Sequence, residues 1–196
     1  MSFFDNTKVA GLALTVIGLL MIVAGFLQIY NGATMDGGIG ENIGYVIAGI
    51  GALIAAVLYF IYGNKVRKGV ISAKIDILGN YVRIVGVTTI VANIFAAIGG
   101  LMSSISFWDC VIMIILGFIV IWIGSKINDG KTTTFDKILW IVLLVVFVIL
   151  FLVNFVGIFT NGFDIVTILK SVCYAVVYLF MTVFLLDGDV KSKMGM

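Results

Sequence analysis

Five side chains in this sequence place ionic or hydrogen-bonding chemistry inside long apolar runs: Arg83, Asn93, Asn154, Lys170 and Tyr174. A bilayer core makes such groups costly, so each is a functional candidate. Lys170 sits seven residues into the last run, roughly 10 Å along a helix. A lysine at a helix centre costs about 2.5–3.5 kcal/mol to insert, and its stem lowers that cost by reaching outward. Asp109 or Glu41 from a neighbouring run suits it better than Asp164, which lies on a different face of its own helix. Arg83 sits near one end of the third run at a depth matching Asp187, which predicts an ion pair or a surface anchor. Asn93, near the middle of that run, predicts an interhelical hydrogen bond of about 1 kcal/mol or the lining of a polar cavity. Asn154 and Gln28 lie nearer the other surface, where they can form a vestibule with Lys170, Tyr174 and Tyr178. Lys170, Cys173, Tyr174, Val177, Tyr178 and Met181 share one semi-polar helix face, so a solute or ion site belongs between this face and the third run.

The residue inventory argues against other chemistries. There is no histidine and there are two cysteines, a poor set for zinc. No nucleophile has a positioned base, no intramembrane carboxylates pair, and no phosphate-binding loop follows a strand. The reading is therefore non-enzymatic, with no cofactor and no metal. Cys110 lies about one turn into the fourth run and Cys173 about ten residues into the sixth. Their depths differ by roughly 10 Å, beyond the reach of a disulfide, which predicts two free buried thiols.

What must position these groups is an all-α membrane fold. The 196 residues are 62% hydrophobic and 11% charged, and the mean hydropathy is +1.25. A soluble domain cannot bury that much apolar surface. Six runs are long enough to span a bilayer: 9–30, 39–62, 77–101, 107–127, 138–159 and 163–186. Asn6 or Thr7 can cap the first. The opening residues lack a basic n-region and no A-x-A site follows, so the first span reads as a retained signal-anchor. There is no proline, which favours continuous helices over the broken helices of many transporters.

Glycines recur at seven-residue steps, which keeps them on one helix face. Gly11, Gly18, Gly25 and Gly32 mark the first span, Gly37, Gly44 and Gly51 the second, Gly79, Gly86 and Gly100 the third, and Gly117 and Gly124 the fourth. Lipid tails provide no hydrophobic force between helices, so small residues that admit close backbone approach carry the packing. The pattern predicts a tight cluster of helices one to four with shallow left-handed crossings. The fifth span is bulky and apolar all round, suited to a lipid-facing periphery or a subunit interface, so a homo-oligomer or a partner membrane subunit is an open expectation.

Charge sets the orientation. The connections 31–38, 102–106 and 160–162 contain no Lys or Arg, whereas the opposite side carries ten, including Lys65, Arg67, Lys68 and Lys74. The positive-inside rule then places both termini in the cytoplasm of a multi-pass cell-membrane protein. Lys65, Arg67 and Lys68 are placed to touch anionic lipid heads; nothing suggests nucleic acid. Tyr30, Trp108, Phe159 and Phe163 on the outer side, and Tyr62, Tyr81, Trp122 and Trp140 on the inner, read as an interfacial belt.

The spans form one transmembrane domain of three hairpins, 9–62, 77–127 and 138–186, each followed by a polar element: Gly63-Asn64-Lys65, Asp129-Gly130-Lys131 and Asp187-Gly188-Asp189-Val190-Lys191. Gly or Asn there suits a helix C-cap. In this outline and in its Gly-rich spans the chain resembles the HdeD-like family of small bacterial and archaeal membrane proteins linked to acid stress. The resemblance implies about six spans in repeated hairpins with short basic inner loops; it implies no functional residue. The expected role is structural, assembly-related or stress-related. The alternative is a small-solute or ion transporter or channel subunit, a size shared with the substrate-binding membrane subunits of energy-coupling vitamin transporters.

Overall fold

A computed structural model describes residues 3–160 and 165–196, with the side chains of 165–167, 169 and 170 excepted. The described chain is helical throughout: a 3-10 turn at Phe3–Asp5, then α1 (Thr7–Thr34), α2 (Ile39–Arg67), α3 (Lys74–Gly100), α4 (Phe107–Ile127), α5 (Thr134–Thr160), α6 (Ile165–Leu185) and α7 (Gly188–Lys193). Five of these, α1 to α5, are long and apolar enough to cross a membrane, and Ser171–Leu185 of α6 forms a shorter apolar stretch. Residues 161–164, which include Asp164 and Phe163, lie outside the described residues.

Local chemistry explains the ends. Asn6 caps α1, its Oδ1 accepting from the backbone N–H of Lys8 at 3.0 Å. Asp136 reaches back to accept from the N–H and hydroxyl of Thr133 at 2.6 and 2.7 Å, which satisfies a free backbone donor where α5 starts. Gly130 follows α4 with φ of 69°, a left-handed conformation that glycine adopts without penalty. The corresponding stop after α2 is Gly69, φ 74°, and not Gly63-Asn64. That expected stop is corrected: α2 continues for another turn to Arg67 because Gly63 is pressed against another helix rather than left at an end. Asp187 begins a helix instead of ending one, its side chain accepting from the N–H of Asp189 to cap α7.

The chain divides into two compact, discontinuous units. One comprises Gly18–Tyr62 and Tyr81–Ile123, and therefore holds stretches of α1, α2, α3 and α4. Within it successive helices meet at glycines. A Cβ on Gly18 would lie 2.6 Å from Phe60 Cα, one on Gly25 3.0 Å from Leu53 Cα, and one on Gly44 2.5 Å from the carbonyl of Gly99. Falling numbers on α2 against rising numbers on α1 describe an antiparallel pair. A Cβ on Gly51 would strike Phe95, and one on Gly86 would lie 2.6 Å from the Gly117 carbonyl. Gly37 is not on a helix; it lies in the turn before α2, beside Asn42. Gly124, which belongs to the other unit, is buried on α4.

The other unit comprises Met1–Ile17, Gly63–Asn80 and Gly124–Met196. Here Gly11 meets the backbone of Val66 and Arg67, and a Cβ on Gly63 would lie 2.6 Å from the backbone of Leu14 and Thr15. α5 packs along α6, and α6 also carries the 3-10 turn and α7. The buried side chains are large: Phe180, Met181, Phe184 and Leu185 of α6, with Leu139, Trp140, Leu143 and Phe147 of α5. The opposite side of α5 is exposed from Ile138 to Phe159. Trp140 donates its indole N–H to the carbonyl of Leu185 at 2.8 Å, and Lys191 sits 5.9 Å above its ring. Trp140 is therefore an internal anchor, and Tyr62 and Tyr81 are also buried. All three depart from the expected interfacial belt, because a belt residue must face the headgroups. Tyr30, Trp108, Trp122 and Phe159 are exposed. Trp140→Phe should cost about 1–2 kcal/mol, leaving a buried carbonyl without its donor, and should lower the thermal midpoint in detergent by a few degrees.

Candidate functional site

Lys74 opens α3 with its ammonium between two carboxylates, Asp5 from the 3-10 turn and Asp187 from the α6–α7 junction, in an ion pair with each. Three remote segments thus converge on one cation within one unit. The side chains are part-buried, at 20% exposure for Lys74 and 22% for Asp187. Partial burial weakens solvent screening and raises the worth of each contact above that of a surface pair. The hydrogen bond from Lys74 holds the Asp187 carboxyl below the usual carboxylate range, against the upward push of burial. Beneath the ammonium the Phe184 ring lies 5.9 Å away, within cation–π range. Phe184 continues an aromatic column: Phe180 is 6.2 Å from it between centroids, and Phe4 is 5.3 Å from Phe180. Beside the ion cluster opens a cavity of about 560 Å3, whose rim adds Lys8, Asp189 and Lys193.

Arg83 and Asp187, matched in depth by the sequence, belong to different units. Asp187 is engaged by Lys74, and the Arg83 side chain is exposed on α3 without an ion pair among the described residues. No local signal could have revealed the Lys74 cluster, because its carboxylates lie 69 and 113 residues from the lysine in sequence. Lys74 reads in isolation as one more basic loop residue.

The other candidates are placed as follows. Asn93 is half-buried and donates its amide to the carbonyl of Thr89 at 2.8 Å, inside its own helix. Such an i−4 bond is one that a side chain facing backbone makes without a partner helix. Asn154 does the same to Leu150, also at 2.8 Å. Arg83 and Asn93 belong to one unit, Asn154 and Tyr174 to the other. Asn154 lines a groove of about 490 Å3 with Gly157, Thr160 and Ser171. Tyr174 stacks on Tyr178, and Tyr178 stacks on Phe147 of α5, with centroids 6.1 and 6.2 Å apart. The semi-polar face of α6 thus contributes to the α5–α6 packing, with Val177 and Met181 fully buried. The side chain of Lys170 lies outside the described residues. Glu41, considered as its partner, accepts from Ser104 at 3.4 Å, and Ser104 also meets the Tyr45 hydroxyl at 2.7 Å. Lys65, Arg67 and Lys68 are exposed, with Arg67 donating to Asn64 at 2.9 Å.

No protein-family profile, curated protein or solved structure matches this chain.

Proposed function

We propose that the chain is a non-enzymatic six-span protein of the cell membrane with a structural, assembly or stress-related role, of the HdeD-like kind. The observation that carries this reading is the fate of the polar groups within the spans. Asn93, Asn154, Thr88, Thr89 and Thr182 all donate to carbonyls of their own helices. A group bonded to its own backbone has one donor fewer to offer a solute. The close glycine approaches fit a module whose work is to hold helices together. In this reading α6 completes the sixth span. The convergence of Asp5 and Asp187 on Lys74 supports placing both termini on one side, the cytoplasmic one by the excess of basic residues. Exposed Lys65, Arg67 and Lys68 are the contacts for anionic lipid, and the exposed side of α5 is the surface for a second copy or partner subunit.

The alternative, a transporter or channel subunit, draws on the groove around Asn154 and Ser171. One experiment separates the two. In a chain carrying Cys110→Ala and Cys173→Ala, Asn93→Cys is challenged with a membrane-impermeant thiol reagent in intact cells and inverted vesicles. Protection from both sides, in folded protein, is expected for the structural role. Rapid labelling from either side means that water reaches mid-membrane and hands the reading to transport.

A further inference from the structure

We infer that the chain holds one zwitterionic aminophospholipid, its headgroup in the cavity beside Lys74 and one acyl chain in a cleft between α1 and α6. The cleft is wholly apolar, about 240 Å3, and is walled by Leu12, Ala13 and Val16 of α1 and by Val172, Val176 and Phe180 of α6. It belongs to the same unit as the ion cluster, and the two hollows are lined by neighbouring residues of the N-terminal segment. Phe3 and Val9 border the cleft, while Asp5 to Lys8 border the cavity. Phe180, in the wall of the cleft, has its ring 6.1 Å from that of Phe3 and 5.3 Å from that of Phe4 between centroids. A charged hollow and an apolar cleft in succession along one membrane helix match the division between a lipid's head and its tail. From Val9 to Val16 the cleft runs about 10 Å along α1, enough for part of one acyl chain.

The charges select the head. Lys74 is already matched by Asp5 and Asp187. That leaves Lys8, Lys193 and Asp189, all exposed on the rim. Two cations receive the phosphate and one carboxylate receives a primary ammonium. A lipid with a phosphate but no amine leaves Asp189 as a repulsive neighbour. This inference rests on the membrane-spanning reading, and not on whether the role is structural or transport.

The test uses the full chain in detergent, incubated with equimolar phosphatidylethanolamine and phosphatidylglycerol of identical acyl chains. Lipid retained after gel filtration is read by native mass spectrometry. One phosphatidylethanolamine per chain is expected, in clear excess over phosphatidylglycerol. Reversing the two lysines together, Lys8→Glu with Lys193→Glu, should cut retention about tenfold, and Asp189→Asn should erase the preference between the two lipids. Ala13→Phe should close the cleft; if that variant misfolds, the three rim variants, all at exposed positions, still decide the matter. Equal retention of both lipids, a preference for phosphatidylglycerol, or retention indifferent to the lysine reversals overturns the site. A chain that leaves the membrane without detergent overturns instead the membrane reading beneath it.

Discussion

Gly63→Val and Gly86→Val should each destabilise the protein by about 3 kcal/mol or more, the upper end of what overpacking costs. For a chain of this size that corresponds to a thermal midpoint lowered by roughly 6–12 °C. The reason is what the new side chain would meet. At Gly63 even the first carbon lies 2.6 Å from the backbone of Leu14 and Thr15, and at Gly86 it lies 2.6 Å from the Gly117 carbonyl. Backbone cannot rotate aside as a flexible side chain can, so the helices must separate and forfeit contacts along their length. The two positions belong to different units, so each variant reports on its own. Gly188→Ala is the control: nothing lies within 4 Å of the added carbon, and a neutral or slightly raised midpoint is expected. The measurement is a thermal melt in detergent. A Gly63→Val protein that melts with the wild type would show that α1 and α2 do not approach so closely there.

Lys74→Gln should be the next most damaging, at about 1–3 kcal/mol near neutral pH. That range lies between the small worth of a surface pair and the several kcal/mol lost when one partner leaves a buried pair, as suits side chains a fifth to a third exposed. Two carboxylates would then face each other without the cation. The pH dependence carries the sign. Asp187 titrates below its ordinary value in the fold, so in the unfolded chain, near about 3.9, it binds its proton more readily. Its contribution is complete above that unfolded value and is lost as pH falls through the lower folded value. Wild-type stability should therefore drop on acidification from about pH 4 downward, and Lys74→Gln should flatten that drop. Unfolding midpoints measured from pH 7 to pH 3 check both. A variant that keeps the full acid slope would mean that other carboxylates set it.

Much of the architecture is legible in the linear pattern because its cause is local. A run of apolar residues about twenty long is held to a helix in a bilayer, since each backbone group must find its partner within the segment. Asn6 announces the start of α1 by its amide oxygen, and 107–127 coincides with α4 as observed. The seven-residue glycine period is visible for the same reason: helix geometry alone decides which positions share a face. Where other helices intervene, the pattern misleads. Gly63 looks like a stop signal yet lies in mid-helix, because what decides its role is the approach of Leu14 and Thr15. Tyr62, Tyr81 and Trp140 look like interfacial anchors yet are buried, since an aromatic near a helix end is equally suited to a neighbour or to headgroups.

By itself the sequence determined that the chain is helical, the rough limits of five helices long and apolar enough to cross a membrane, and residues able to cap or closely pack them. Each of these follows from the chemistry of residues near one another in the chain. Only the tertiary structure decided which charges meet and which polar groups are already spent. Lys74 meets Asp5 and Asp187 across separations that no periodicity encodes, and Asn93 finds its acceptor one turn away rather than on a neighbouring helix. The first outcome depends on where remote segments come to rest, which side-chain packing fixes and residue spacing does not; the second is a choice among acceptors that residue spacing leaves open.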